Sequence, residues 1–432
     1  MVGRRVAGVG AGRSLAALLL LLSGTAAAPA TAGPATTASE RTAAAPVWTG
    51  AWEAAPSGTA PPLPGTSIRN VLRTSVGGSA LRVRLGNRLG RAPLRLGAVT
   101  VALRRPGGAG AVRGSLRPAL FAGSRAVTVP AGRDVLSDPV RLPVPAAADL
   151  LVTVYTPYDS GPATYHRTAL RTSYLAPGGD RTADETGAPY TATTTHWYYV
   201  TGVDVLAAPA AGSLVALGDS LTDGTGSTHD ADRRWPDRLA ARLRALPPSR
   251  RLGVLDAGVA GNRLLREGVG PSALARLDAD ALSRAGVRVL FVWEGINDVK
   301  GSPPATDPAS FAAAYRLIVA RAHARGIRVV GATLTPYGGH PAHTAARDAV
   351  RRRINALIRG GGLFDAVADF DAVVRDPARP ERLRPAYDSG DHLHLGDAGL
   401  RAVADAVGLA ALVCPTGRTG RPCPSPATRP YA

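Results

Sequence analysis

Ser220 is the residue from which the chemistry of this chain is read. Within VALGDSLTDG, residues 215–224, an apolar run ends at Gly218, the acidic Asp219 follows, and Ser220 then sits where a buried strand would open into a loop. A serine hydroxyl is a weak nucleophile until a neutral imidazole takes its proton, and that imidazole must be held in one tautomer by an acceptor on its other nitrogen. The stretch DHLH, residues 391–394, offers both groups: His394 as the base, and Asp391, three residues upstream, able to turn back within one loop to the ring N–H. Two further turn-like stretches, VAGN at 259–262 and GIND at 295–298, contribute Gly261 and Asn297, residue types that can present donors to a developing negative oxygen. Each signal alone reads as an ordinary turn. Together, in this order, they describe acyl transfer through a serine.

Other residues compete for these roles. His392 adjoins Asp391 and is the alternative base, but a separation of one residue suits the carboxylate less well, which leaves His392 as a structural or rim histidine. Asp219 and Asp298 are read as fixing their own turns rather than as reacting groups. A nucleophile elbow of the GxSxG type is absent at Ser220, which argues against the ordinary α/β-hydrolase fold.

The elements that must position these groups fall into two textures. From about residue 212 to 413, apolar runs such as LVAL, LGVLDAG, VRVLFVWEG, IRVVGATLTP and FDAVADF alternate with amphipathic stretches such as WPDRLAARLRAL, PSALARLDADAL, SFAAAYRLIVARAHARG, TAARDAVRRRINALI and GDAGLRAVADAVGLAAL. Strands apolar on both faces, separated by helices, imply a parallel sheet covered on each side, with its ligand beyond the carboxyl ends of the strands. Residues 47–206 read instead as a β-rich accessory domain. Leu81, Val83 and Leu85 alternate with Arg82 and Arg84, and short strands punctuated by Gly, Pro, Asn and Asp follow, as in an antiparallel sandwich or jelly roll. His196 with Trp197, Tyr198 and Tyr199 offers two readings, a sugar-stacking surface or core packing.

The 432 residues carry a formal net charge of +19, and Lys300 is the only lysine. No basic run with interleaved aromatics accompanies the arginines, so they read as a solvated surface and nucleic acid is excluded as the expected partner. Arg4, Arg5 and Arg13 precede an apolar core at 15–22 and small-residue cleavage sites, the layout of a secretory signal over residues 1–32, followed by a leader without burial potential at 33–46. The apolar core is too short to span a membrane. Cys414 and Cys423, the only cysteines, fall in a Pro/Gly-rich tail at 414–432 and are expected to form a local disulfide after export. No metal or cofactor is expected. The oligomeric state and the acyl and alcohol parts of the substrate stay open.

The segments around GDS at 218–220, Gly261, GIND and DHLH resemble the four sequence blocks of the SGNH (GDSL) hydrolases, and further agreement with a secreted actinobacterial branch runs from the segment near Ile68 through HWYYVTGVDV to DSGDHLHLGDAG. The resemblance implies a flavodoxin-like three-layer α/β/α hydrolase of carboxylic esters, pairs Asp391 with His394, and implies an oxyanion hole from the backbone N–H groups of Ser220 and Gly261 and the amide of Asn297. Lipases, lysophospholipases and carbohydrate esterases all occur in that family. The scarcity of Met and Phe tilts the expectation toward short acyl groups, including O-acetyl groups on carbohydrate. A non-catalytic secreted binding protein is the alternative of another class. Two departures stand out. Leu395-Gly396 replaces the family's usual Pro-Asn, and Asp256 stands where Asn is common.

Overall fold

The computed structural model describes residues 46–207 and 212–413. The signal, most of the leader and both cysteines therefore lie outside the described residues. Within residues 212–413, five strands make one parallel sheet: Gly212–Gly218, Leu252–Gly258, Val287–Trp293, Arg328–Ala332 and Ala366–Ala368. Numbered along the chain, their spatial order is 2-1-3-4-5, so the strand ending at Gly218 lies between the second and third. That order reverses beside the first strand, and the crevice at such a switch point is where open parallel sheets place their ligands.

Hydrophobicity explains why these segments pair. The first strand is buried at all seven positions, and Leu214, Val215, Ala216 and Leu217 pack into one core with Trp235, Phe291, Trp293 and Phe370. The helices Trp235–Arg244, Pro308–His323, Ala345–Arg359 and Asp397–Ala406 each turn one apolar face to that core. Their starts are specified locally. Asp307 and Thr344 accept from the first free backbone N–H groups of the helices they precede. The stretch PSALARLDADAL departs from a simple helix: Ala273–Leu277 is α-helical and continues as a π turn over Asp278–Leu282.

The preceding half is antiparallel. One sheet orders the strands Val47–Glu53, Val200–Ala207, Leu81–Gly86 and Asp134–Leu136, and a six-stranded sheet is centred on Thr66–Arg73 and Asp149–Thr156. The alternation over 81–86 is realised, with Leu81, Val83 and Leu85 buried and Arg82 and Arg84 half-buried. Trp197, Tyr198 and Tyr199 are core residues, with Trp52 edge-on to Trp197 at 4.9 Å. Packing, not a sugar-stacking surface, is thus the reading their burial supports.

The two halves meet along the second parallel strand. Ala54 forms a parallel bridge with Asp256, the Gly50 N–H donates to the Ala285 carbonyl at 2.9 Å, and Ser75 Oγ accepts the Val254 N–H at 2.9 Å. Beneath this seam Asp280 receives Arg88 from the antiparallel half and Arg276 and Arg284 from its own, while Glu53 sits 2.7 Å from Arg284. Burial keeps the Glu53 carboxyl up at about 8 despite Arg284.

Candidate active site

Ser220 is the first residue of a one-turn helix, Ser220–Asp223, that starts immediately past the first parallel strand. Its cap is Asp219, whose Oδ1 accepts the Leu221 N–H at 2.9 Å. Little room exists beneath the turn. A side chain at Gly258, at the end of the second strand, would meet the Asp223 backbone nitrogen at 2.2 Å, so only glycine lets strand and turn approach this closely.

His394 arrives from the loop before Asp397–Ala406. Its Nε2 stands 2.8 Å from Ser220 Oγ, and its Nδ1 is 2.5 Å from Asp391 Oδ2. The carboxylate is itself anchored, because Asp391 Oδ1 accepts the backbone N–H groups of Leu393 and His394 at 3.0 and 2.8 Å. Partial burial works to raise its pKa, but the hydrogen bonds from the His394 ring and these backbone groups prevail and hold it well below the usual carboxylate range. An ionised Asp391 accepting at Nδ1 leaves Nε2 as the nitrogen that can accept a proton from Ser220. His392 points elsewhere: its Nδ1 pairs with Asp388 Oδ2 at 2.6 Å.

Gly261 and Asn297 lie past the ends of the second and third strands. Gly261 adopts φ +85°, a left-handed conformation costly to any residue with a Cβ, in a turn closed by the Asn262 N–H donating to the Val259 carbonyl at 2.9 Å. Among the described residues, neither the Ser220 N–H nor the Gly261 N–H finds a protein acceptor. Asn297 Nδ2 donates to the Asn262 carbonyl at 2.8 Å and to Asp219 Oδ2 at 3.2 Å. The longer of these bonds is the one a substrate oxygen would compete for. Asp298 ties the loops together, accepting the N–H groups of Leu264 and Leu265 at 2.7 and 3.0 Å.

Four residues that the sequence reading did not single out belong to this constellation. The Arg276 guanidinium, 3% exposed, donates to the carbonyls of Gly218 and Ala257 at 2.9 and 2.7 Å and to Asn262 Oδ1 at 2.9 Å, so one side chain joins two strand ends to the Gly261 turn. Glu294, buried beside Asp219, is pushed well above the usual carboxyl range, first by burial and then by Asp219. Asp219 is raised to about 7, chiefly by burial. Asp223 and His166 form the remaining buried pair, at 2.9 Å. Asp256 lies outside the reacting group: it faces Arg234 at 3.6 Å and is raised to about 7 by burial.

Residues 216–402 match the sequence model of the GDSL-like lipase/acylhydrolase family, a span that contains Ser220, Gly261, Asn297, Asp391 and His394. This part of the chain is a GDSL-like lipase/acylhydrolase domain. The chain is accordingly a carboxylic ester hydrolase. No curated protein sequence is significantly similar to it. Solved structures similar to this chain include a lipolytic protein of the G-D-S-L family from Desulfitobacterium hafniense DCB-2, at 20% identity and a TM-score of 0.35 over 46% of this chain and 98% of that one. An acetyl xylan esterase shares 22% identity at a TM-score of 0.35, covering 45% of this chain and 96% of its own. The aryl esterase of M. smegmatis shares 16% at 0.37, covering 45% and 95%.

Among the described residues, the exposed large hydrophobics are Val47, Val112, Tyr158, Leu317, Leu357 and Val367, and none lies in the loops that carry Ser220, Gly261, Asn297 or His394. A cavity of about 710 Å³ lies at the seam between the halves, lined by Trp52, Trp197, Arg73 and Arg244 among others, and does not include Ser220 or His394. Among the described residues no cluster of His, Cys, Asp and Glu is suited to hold a metal ion, and no helix is long and apolar enough to cross a membrane.

Proposed function

We propose that the protein is a secreted serine esterase of short acyl groups, acting through Ser220, His394 and Asp391 in two acyl-transfer steps. His394 Nε2 takes the Ser220 proton as Oγ attacks the ester carbonyl. The tetrahedral oxygen is met by the Ser220 and Gly261 N–H groups and by the Asn297 amide, which releases Asp219 to do so. His394 then protonates the leaving alkoxide, and water activated by the same ring resolves the acyl-enzyme. The observation that supports this most is the unbroken chain Ser220 Oγ, His394, Asp391 at 2.8 and 2.5 Å beside two backbone N–H groups free to donate.

The preference for short acyl groups is supported by where the most exposed large hydrophobics among the described residues lie, none of them in the loops that carry Ser220, Gly261, Asn297 or His394, since a fatty-acyl chain needs an apolar surface to leave water. O-acetyl groups on carbohydrate fit that requirement. The strand order supports a flavodoxin-like three-layer α/β/α arrangement for the hydrolase half, and the antiparallel sheets a jelly-roll-like accessory half. Export, cleavage of residues 1–32 and a Cys414–Cys423 disulfide complete the proposal.

A series of p-nitrophenyl esters from acetate to palmitate, assayed beside acetylated xylan, tests the substrate class. The expected order is acetate first, with kcat/KM falling by about tenfold or more at long chains, where extra methylenes find no apolar wall. A maximum at long chains would overturn the short-acyl assignment and favour lipid esters.

A further inference from the structure

His166 belongs to the antiparallel half, in the strand Ala163–His166, yet its ring lies against the turn that follows Ser220. The ring is buried, with Trp197 at 5.4 Å. Nδ1 is 2.7 Å from the Ala55 carbonyl oxygen, and Nε2 is 2.9 Å from Asp223 Oδ1 and 3.3 Å from the Thr168 carbonyl oxygen. With the Asp223 carboxylate ionised, all three neighbours are acceptors. A neutral imidazole carries one N–H and one lone pair, so either tautomer would aim a lone pair at another oxygen's lone pair. The surroundings suit a ring protonated on both nitrogens.

The second oxygen of Asp223 has its own task. Oδ2 accepts the Ala260 N–H at 2.9 Å, and Ala260 directly precedes Gly261. A continuous path therefore leads from the accessory half to the oxyanion donor: Ala55 carbonyl, His166, Asp223, Ala260, Gly261.

We propose that His166 is a positioning residue for ester hydrolysis, an imidazolium from the accessory half that fixes the Asp223 carboxylate and thereby aims the Gly261 N–H at the developing oxyanion. The inference rests on the reading of Gly261 as an oxyanion donor. It makes the β-rich half a working part of the active site, a role separate from any contact with substrate.

The charges facing the ring set the sign of its pH dependence. Asp223 approaches from the turn after Ser220. Arg234, at the head of the helix Trp235–Arg244, stands over the Trp197 ring at 5.2 Å, with Asp256 behind it at 3.6 Å. Burial works against a charged ring and Arg234 adds to that, but Asp223 and the Ala55 carbonyl outweigh them and raise the His166 pKa. A raised value means the brace is complete at acidic pH and is lost as pH rises through it, later than for a free imidazole.

The test compares full-length wild type, His166→Gln and Asp223→Asn on p-nitrophenyl acetate across pH, with fluorophosphonate labelling of the wild type as a control for the serine mechanism. The expected result is a kcat lowered by about 10- to 100-fold in His166→Gln and in Asp223→Asn, with KM changed by less than about twofold, because a misaimed donor is lost only in the transition state. The alkaline fall of wild-type kcat should disappear in His166→Gln. Histidine-selective NMR of the wild type should show one ring keeping imidazolium shifts at pH values where exposed rings have become neutral, which is readable even if a variant folds poorly. Wild-type kcat in His166→Gln, or a neutral His166 ring at neutral pH, would overturn the proposal. A wild type that labels and turns over while His166→Gln is unaltered defeats the brace alone, whereas a wild type that does neither removes the serine mechanism and the brace with it.

Discussion

At the scale of single residues, the proposed chemistry depends on which nitrogen of His394 is free. Asp391, held ionised by its ring and backbone hydrogen bonds, takes Nδ1 and leaves Nε2 toward Ser220. Asn297 occupies the most finely balanced position, since its amide is shared between Asn262 and Asp219 before substrate arrives. Asn297→Ala is therefore expected to lower kcat by about 10²-fold or more with little change in KM; steady-state kinetics on an aryl acetate reads both, and a loss confined to KM would assign the amide to ground-state binding. Ser220, His394, Asp391, Gly261 and Asn297 could be proposed from the sequence because each sits in a short motif whose residue types carry the chemistry. Arg276 could not. One arginine among many reads as surface charge, and only the fold reveals that it is buried against three carbonyl-type oxygens. His166 was invisible for the same reason, a lone histidine in a strand whose partner Asp223 is 57 residues away.

At the scale of elements, the site is a set of short turns held down from below. The parallel strands were legible because they are apolar on both faces, and the helices because their apolar faces recur with helical spacing. The π turn at Asp278–Leu282 was not, since it follows an α-helical segment without a break in composition. It places Asp280 where Arg276, Arg284 and Arg88 converge. Removing that carboxylate leaves three buried guanidinium groups without their shared counter-charge. Asp280→Ala should therefore lose about 3–5 kcal/mol of stability, as is usual when one partner of a buried ion cluster is deleted. Urea unfolding monitored by tryptophan fluorescence measures it, and a loss below about 1 kcal/mol would mean the cluster contributes little.

For the whole molecule, the buried acids set the dependence of stability on pH. Glu53 is raised to about 8, and Asp219 and Asp256 to about 7, all chiefly by burial. In the unfolded chain such groups ionise near pH 4, so between pH 4 and 8 the folded state holds more protons and its stability falls as pH rises. Asp391 acts oppositely, but its contribution is complete above the ordinary carboxyl range and is lost only in acid. The melting temperature should thus be higher near pH 5 than near pH 8, by about 5 °C or more. A scan that rises across this interval would contradict the protonation states described for the seam and the floor of the site. Two of these acids, Glu53 and Asp256, flank the junction of the halves, where the sequence offered only a change of texture and no sign that backbone bonds cross it.

The central claim is that Ser220 is the nucleophile activated by His394. The most direct measurement is covalent labelling of the purified full-length protein with a fluorophosphonate, followed by peptide mass spectrometry. Adduct on the peptide containing Ser220, absent in Ser220→Ala and slowed by about 10³-fold or more in His394→Ala, is the predicted result. Adduct on another residue, or labelling that survives Ser220→Ala, would contradict it.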